Sequence, residues 1–227
     1  MVSYADNKRI AKNTIYLYVR TFVSMLVALY TSRKILEALG VEDFGIFNVV
    51  GGIISLMSFI NGSMSVATQR YLTYELGKGT EGQFNKVFNI AVYIHAIIAV
   101  IVLIAAETVG VWFVNTQLNI PEARMGAANW VFQATILTTI LGILQTPYNA
   151  AIVSHEHMHV YAYVGLGETF AKLFVVIALC YYPYDRLAIW GFALFTIQLS
   201  SSLIYRFYCI KKFDNCNLRR NTWDLPL

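Results

Sequence analysis

The chain has 227 residues, 57% of them hydrophobic and only 13% charged, with a net charge of +4. Ordinary soluble domains carry about 25% charged residues, so too little polar side chain remains to cover a water-exposed surface, and a mean hydropathy of +0.55 excludes a highly charged disordered chain. The composition is that of a polytopic membrane protein, an all-α helix bundle.

Six apolar stretches are long enough to cross a bilayer, which needs about 20 residues per helix. They are Asn13–Ser32, Phe44–Thr68, Val87–Ala106, Trp130–Val153, Val164–Tyr182 and Ala188–Ile210. The links between them are short, so the chain divides into an N-terminus over 1–12, a six-helix lobe over 13–210 and a tail over 211–227. Arg33 and Lys34 follow the first stretch where a cleavage site would need small residues, so it is retained as a helix.

Lys and Arg in the short links fix an expected orientation. With the N-terminus cytoplasmic, the inside holds eleven: Lys8, Arg9, Lys12, Arg70, Lys78, Lys86, Arg206, Lys211, Lys212, Arg219 and Arg220. The outside holds four: Arg33, Lys34, Arg124 and Arg186. Both termini are therefore expected in the cytoplasm. The net positive charge reads as a topology signal, and no nucleic-acid partner is expected, because the charges are spread over loops and not gathered on one face.

In chain order, the first stretch aligns Asn13, Arg20, Ser24 and Thr31 on one face. A central charge costs about 2.5–3.5 kcal/mol on the insertion scale. Two readings of Arg20 stand: it snorkels to the inner interface, or it faces the interior and meets an anion through bidentate hydrogen bonds. The second stretch carries Asn48, Gly51, Ser55, Ser58, Gly62 and Gln69 on a broader face. Its small-xxx-small pairs, Gly51 with Ser55 and Ser58 with Gly62, suit plain helix packing as well as a polar path. The third carries His95 and Glu107, weaker candidates. Pro121 and Glu122 mark a helix start, and Pro147 is expected to kink the fourth helix near its inner end.

The fourth stretch lines up Thr135, Thr138, Gly142, Gln145 and Asn149, and the sixth Gly191, Gln198, Ser202 and Tyr205. Coherent polar faces on four helices point to a shared hydrated interior. The expected substrate path is Arg20, Ser24, Asn48, Ser55, Thr138, Gln145, Asn149 and Gln198. On the fifth stretch Glu168 and Lys172 stand four apart in the favourable order. They either neutralise each other or form an ion-coupling pair.

Two motifs fail as enzyme signals. His155-Glu156-His157-Met158-His159 contains H-E-x-x-H, but a zincin also needs a third ligand and a closed cleft. Leu76–Gly82 lacks the Walker A pattern, since Gly79 follows Lys78 where Ser or Thr is required. Cys180, Cys209 and Cys216 form no regular framework. No enzymatic activity, cofactor or metal is expected.

Several strings resemble the polysaccharide transporter, or O-antigen flippase, branch of the multidrug/oligosaccharidyl-lipid/polysaccharide exporter superfamily. They are Leu39-Gly40-Val41-Glu42-Asp43-Phe44-Gly45-Ile46-Phe47-Asn48-Val49-Val50, Asn61-Gly62-Ser63-Met64-Ser65-Val66-Ala67-Thr68-Gln69-Arg70-Tyr71, Ala128-Asn129-Trp130 and Pro147-Tyr148-Asn149-Ala150-Ala151-Ile152. The likeness spans nearly the whole chain and is strongest to Bacteroides-type versions. It implies a bacterial inner-membrane protein that moves undecaprenyl-pyrophosphate-linked oligosaccharide across the bilayer for surface polysaccharide or lipopolysaccharide, by rocking of two six-helix lobes. It also implies that Arg20 meets pyrophosphate, by position on the first helix. The present chain matches the amino-terminal lobe and ends at Leu227. A second lobe, a second copy, or an inactive truncated product are the readings this leaves, beside a drug or cation antiporter lobe of the same superfamily. Lipid-linked oligosaccharide and membrane lipids are the expected partners.

Overall fold

A computed structural model describes residues 4–79, 82–181 and 185–216. Arg9 and Ser58 among the sequence candidates have side chains outside the described set, and Tyr182, Arg219, Arg220 and the rest of the tail from 217 lie outside the described residues. The elements are α1 (Tyr4–Gly77), α2 (Phe84–Ala105), α3 (Val111–Thr116), α4 (Glu122–Ser154), α5 (Met158–Cys180) and α6 (Arg186–Lys212). A π-helical turn at Ala106–Gly110 joins α2 to α3, and a 3-10 turn at Asp214–Cys216 follows α6. Among the described residues every regular element is a helix, without a strand.

Five of these units are long and apolar enough to cross a membrane: Ala11–Ser55, Phe84–Thr116, Glu122–Ser154, Met158–Cys180 and Arg186–Lys212. The first differs from the sequence expectation, because the two first stretches are fused in one 74-residue helix interrupted only at Gly40, with φ 79° and ψ 171°. The two arms nevertheless run in opposite directions. In the N-terminal arm, Tyr16 meets His159 and Tyr163, Ser24 bonds Thr169, and Ile35 and Ala38 share a buried cluster with Val176 and Leu179. That order is parallel to α5. In the C-terminal arm, Ile46 and Val50 cluster with Val131 and Phe132, Asn61 accepts from Thr146, and Thr73 donates to Ser154. That order is parallel to α4. Since α4 and α5 are joined by a tight turn and lie antiparallel, α1 folds back on itself at Gly40.

One residue makes this reversal because only glycine adopts φ 79° without strain. A Cβ at Gly40 would meet nothing within 4 Å, so Gly40→Ala carries only the backbone cost, about 1–3 kcal/mol. The expected outcome is a lowered thermal unfolding midpoint in detergent with the helical circular-dichroism signal retained.

Ionic contacts fasten the reversal. Arg124 on α4 forms a bidentate pair with Asp43, Nε to Oδ1 at 2.8 Å, and reaches Asp185 at 3.3 and 3.4 Å. Asp185 also caps α6 by accepting from the Leu187 and Ala188 amides. Arg186 donates to the Ala38 carbonyl at 2.8 Å, just before the break. This end is called distal. The opposite, basal end gathers the α4–α5 turn, the start of α1, the α1–α2 connection and the end of α6. There Glu75 accepts from Lys78 and from the Gln83 amide, both at 2.7 Å, and these donors hold its carboxyl below the usual range.

The helices outrun the expected spans. α2 continues through the π turn to Thr116, and α4 begins at Glu122, directly after Pro121, and runs through Pro147 to Ser154. The hydrocarbon layer sets a minimum length, and polar residues continue the helix beyond it wherever neighbours satisfy their backbone.

Candidate functional site

The polar face of the N-terminal arm of α1 turns toward α5. Ser24 and Thr169 hydroxyls lie 3.1 Å apart, and Thr169 donates to the Gly165 carbonyl at 2.8 Å. The Arg20 guanidinium sits 4.2 Å from the Tyr161 ring centroid. It also lies against Gly165, where a Cβ would stand 2.3 Å from Nε and 2.8 Å from Cζ. Gly165 is thus the gap in α5 that admits the arginine. The Arg20 Nε is buried and unpartnered, and Arg20 makes no hydrogen bond or ion pair among the described residues. The outward face of this arm is apolar instead: Ile15, Phe22, Met25 and Leu29 are all more than 60% exposed.

Glu168 and Lys172, one turn further along α5, make no ion pair with each other. Glu168 stands in a groove of about 450 Å³ between α5 and α6, beside Thr196, Ser200 and Ser201. Its charge reaches Tyr205, as does that of Arg20. Tyr205 is 1% exposed and donates weakly, at 3.4 Å, to the Tyr161 carbonyl. Arg20, Tyr161, Tyr205 and Glu168 therefore form one neighbourhood across α1, α5 and α6.

A second polar group lies between α4 and α6. The Gln198 amide donates to Gln145 Oε1 at 2.8 Å, and the Ser201 hydroxyl reaches the same oxygen at 3.4 Å. Gln145 is 6% exposed. Nearby, Thr146 donates to Asn61 at 3.0 Å, while Asn149 Oδ1 is buried with no partner. Thr138 and Thr135 donate only to their own helix, to the Ala134 and Val131 carbonyls. Ser201 belongs both to this seam and to the Glu168 groove, so the two polar groups touch there.

Asn48 and Ser55 are elsewhere. Both are exposed and bond only to carbonyls of their own helix. They share a sector of about 120° with Gly52, Gly62, Ser63, Gln69, Arg70 and Thr73, all exposed. A cavity of about 990 Å³ opens along the basal part of this face, lined by Ser63, Gln69, Arg70 and Thr73 among others. The outward face of the N-terminal arm is apolar, while that of the C-terminal arm mixes these polar and small residues with exposed Val41, Val66, Tyr71 and Tyr74.

The H-E-x-x-H string does not form one helical turn. His155 caps the end of α4, Glu156 has φ 59° and His159 belongs to α5, so the two histidines are divided by the turn. No cluster of three metal-ligating side chains occurs among the described residues. His95, fully buried, donates from Nδ1 to the Ala91 carbonyl at 2.8 Å.

The sequence reading missed the packing of this turn. His157 Nδ1 and the Tyr208 hydroxyl share a hydrogen bond of 2.6 Å. Burial, and then the positive charges of His159, Lys212 and His155, hold the His157 imidazole below its ordinary value of 6.5. A histidine depressed in the folded state contributes stability above its unfolded pKa and loses it as pH falls. The expected result is a thermal midpoint that declines as pH is lowered through 6.5, with a shallower decline in His157→Gln.

Set against family models, curated proteins and solved structures, the chain matches none of them.

Proposed function

We propose that this chain is one lobe of a bacterial inner-membrane transporter that flips polyprenyl-pyrophosphate-linked oligosaccharide for surface polysaccharide or lipopolysaccharide assembly. The observation that carries the reading is Arg20. About 14 Å along the helix from Ala11, a guanidinium is held against Gly165 and Tyr161, near Glu168 but with no ion pair among the described residues. An unpaired cation at that depth is costly, and a bidentate anion such as pyrophosphate would satisfy it.

Two further features support the reading. The outer face of the C-terminal arm of α1 carries Asn48, Ser55, Gln69 and Arg70 among exposed apolar side chains, and a second lobe or second copy would cover it and complete a path for a headgroup. The arms then count as separate crossings, giving six. Lys8, Lys12, Arg70, Lys78, Lys86, Arg206, Lys211 and Lys212 belong to basal segments and Arg33, Lys34, Arg124 and Arg186 to distal ones, which favours a cytoplasmic basal end with both termini there. No catalytic group or cofactor is invoked.

Deleting the gene tests this. Expected are loss of surface glycan and accumulation of lipid-linked oligosaccharide on the cytoplasmic leaflet; unchanged surface glycan refutes the proposal. A second reading, a drug or cation antiporter lobe, is favoured by the unpaired Glu168 beside Thr196, Ser200 and Ser201. It predicts normal glycan but raised retention of a cationic dye in the deletion strain.

A further inference from the structure

The basal turn between α4 and α5 carries three histidines within five residues, and the structure divides them into two kinds. His155 is a packing residue. Its ring stacks on Phe213 with centroids 3.9 Å apart, lies edge-on to Phe84, and donates from Nδ1 to the Ala151 carbonyl. His157 and His159 lie side by side, with centroids 5.4 Å apart and planes tilted by 36°. His159 faces Tyr16 at 6.3 Å and Tyr163 at 6.5 Å. The Lys12 ammonium lies 5.9 Å from the Tyr16 ring centroid, and Lys212 is close enough to act electrostatically on His157.

Basic side chains from three elements come to this spot. Lys12 comes from α1, Lys212 from α6, and His157 and His159 from the turn and the start of α5. The carboxylates nearest in sequence are Glu156, exposed on the turn, and Asp214, exposed after α6; neither is among the groups that shift His157. The walls are Tyr16, Tyr163 and Tyr208, whose amphipathic rings suit the headgroup level of a bilayer.

Tyr163 also opens a second space. The groove of about 450 Å³ between α5 and α6 begins at Tyr163 and continues past Val164, Gly167, Ile197 and Ile204 toward Ala171, with Glu168, Thr196, Ser200 and Ser201 also on its walls. A cationic, donor-rich box at the membrane surface therefore leads into a mostly apolar furrow running toward the bilayer interior.

We propose that Lys12, His157, His159 and Lys212 bind the headgroup of an anionic phospholipid, whose acyl chain lies in the α5–α6 groove. Lysines supply charge, imidazole N–H and tyrosine O–H groups donate to phosphate oxygens, and the groove discriminates a lipid from a free anion. The headgroup site is distinct from Arg20 and does not rest on the export reading, although the groove for the acyl chain also holds Glu168.

The test uses the purified full chain in phosphatidylcholine nanodiscs doped with phosphatidylglycerol, with bound lipid counted by native mass spectrometry. The wild type is expected to retain phosphatidylglycerol over phosphatidylcholine by about tenfold. Lys12→Gln with Lys212→Gln alters two exposed side chains and should leave folding intact; it is expected to bring that preference to within about twofold. His157→Gln with His159→Gln is expected to reduce the preference as well. Equal phosphatidylglycerol retention by wild type and a helical lysine variant would overturn the proposal. So would displacement of the lipid by an equal concentration of inorganic phosphate, which would mean that the acyl chain contributes nothing.

Discussion

Arg20→Ala is expected to lower surface polysaccharide about tenfold or more while the protein remains in the membrane and becomes no less stable. The sign of the stability change follows from magnitudes. An arginine within the bilayer costs about 2.5–3.5 kcal/mol, whereas its contact with Tyr161 returns about 0.5–2 kcal/mol, and no hydrogen bond to the buried Nε offsets the rest. Removing the side chain therefore relieves more than it forfeits. A residue kept for packing would behave in the opposite way, losing stability without a specific loss of export. Arg20→Lys keeps the charge but not the planar fork and should recover only part of the activity. Gly165→Val probes the same site from the other side, since its Cβ would overlap the Arg20 guanidinium and force it out. Export that survives both Arg20→Ala and Gly165→Val would end the pyrophosphate reading.

The composition and the apolar spans foretold an all-helical membrane bundle because hydrophobicity is a property of each residue alone. The reversal at Gly40 was harder to read. The sequence places an eleven-residue gap between Ser32 and Phe44, which suggests a loop, yet both sides are helical and a single positive φ makes the break. Periodicity assigned polar residues to faces correctly as a matter of geometry, but it contains no partner. The Asn13–Thr31 face meets α5 and the Gln145 face meets α6, while the Asn48–Ser55 face, of similar composition, meets no other helix. Nothing local distinguishes these cases, because the difference lies in which helices fold back beside each one. The histidine turn was legible only as a failed zinc motif for the same reason. Its partners, Lys12, Tyr16, Tyr208, Lys212 and Phe213, come from segments about 50–150 residues away along the chain.

Gln145→Leu should destabilise the bundle by about 1–2 kcal/mol, because it strands the Gln198 amide and leaves the Ser201 hydroxyl only the Gln198 carbonyl at 3.3 Å. The average interhelical hydrogen bond in a membrane is worth only about 0.6 kcal/mol, so most of this loss is the penalty of the orphaned amide. Adding Gln198→Leu removes that orphan and extends the apolar contact between α4 and α6, and the double variant is expected to regain most of the thermal stability. The two variants together then distinguish a structural seam from a path. If Gln145 and Gln198 only hold α4 to α6, export should follow stability and return in the double variant. If they line the route of a sugar-bearing headgroup, export should stay low in both, since leucine offers no donor or acceptor to hydroxyls that leave water. The second outcome is expected, because Ser201 joins this seam to the groove that holds Glu168 and polar groups that served packing alone would gain nothing from that continuity.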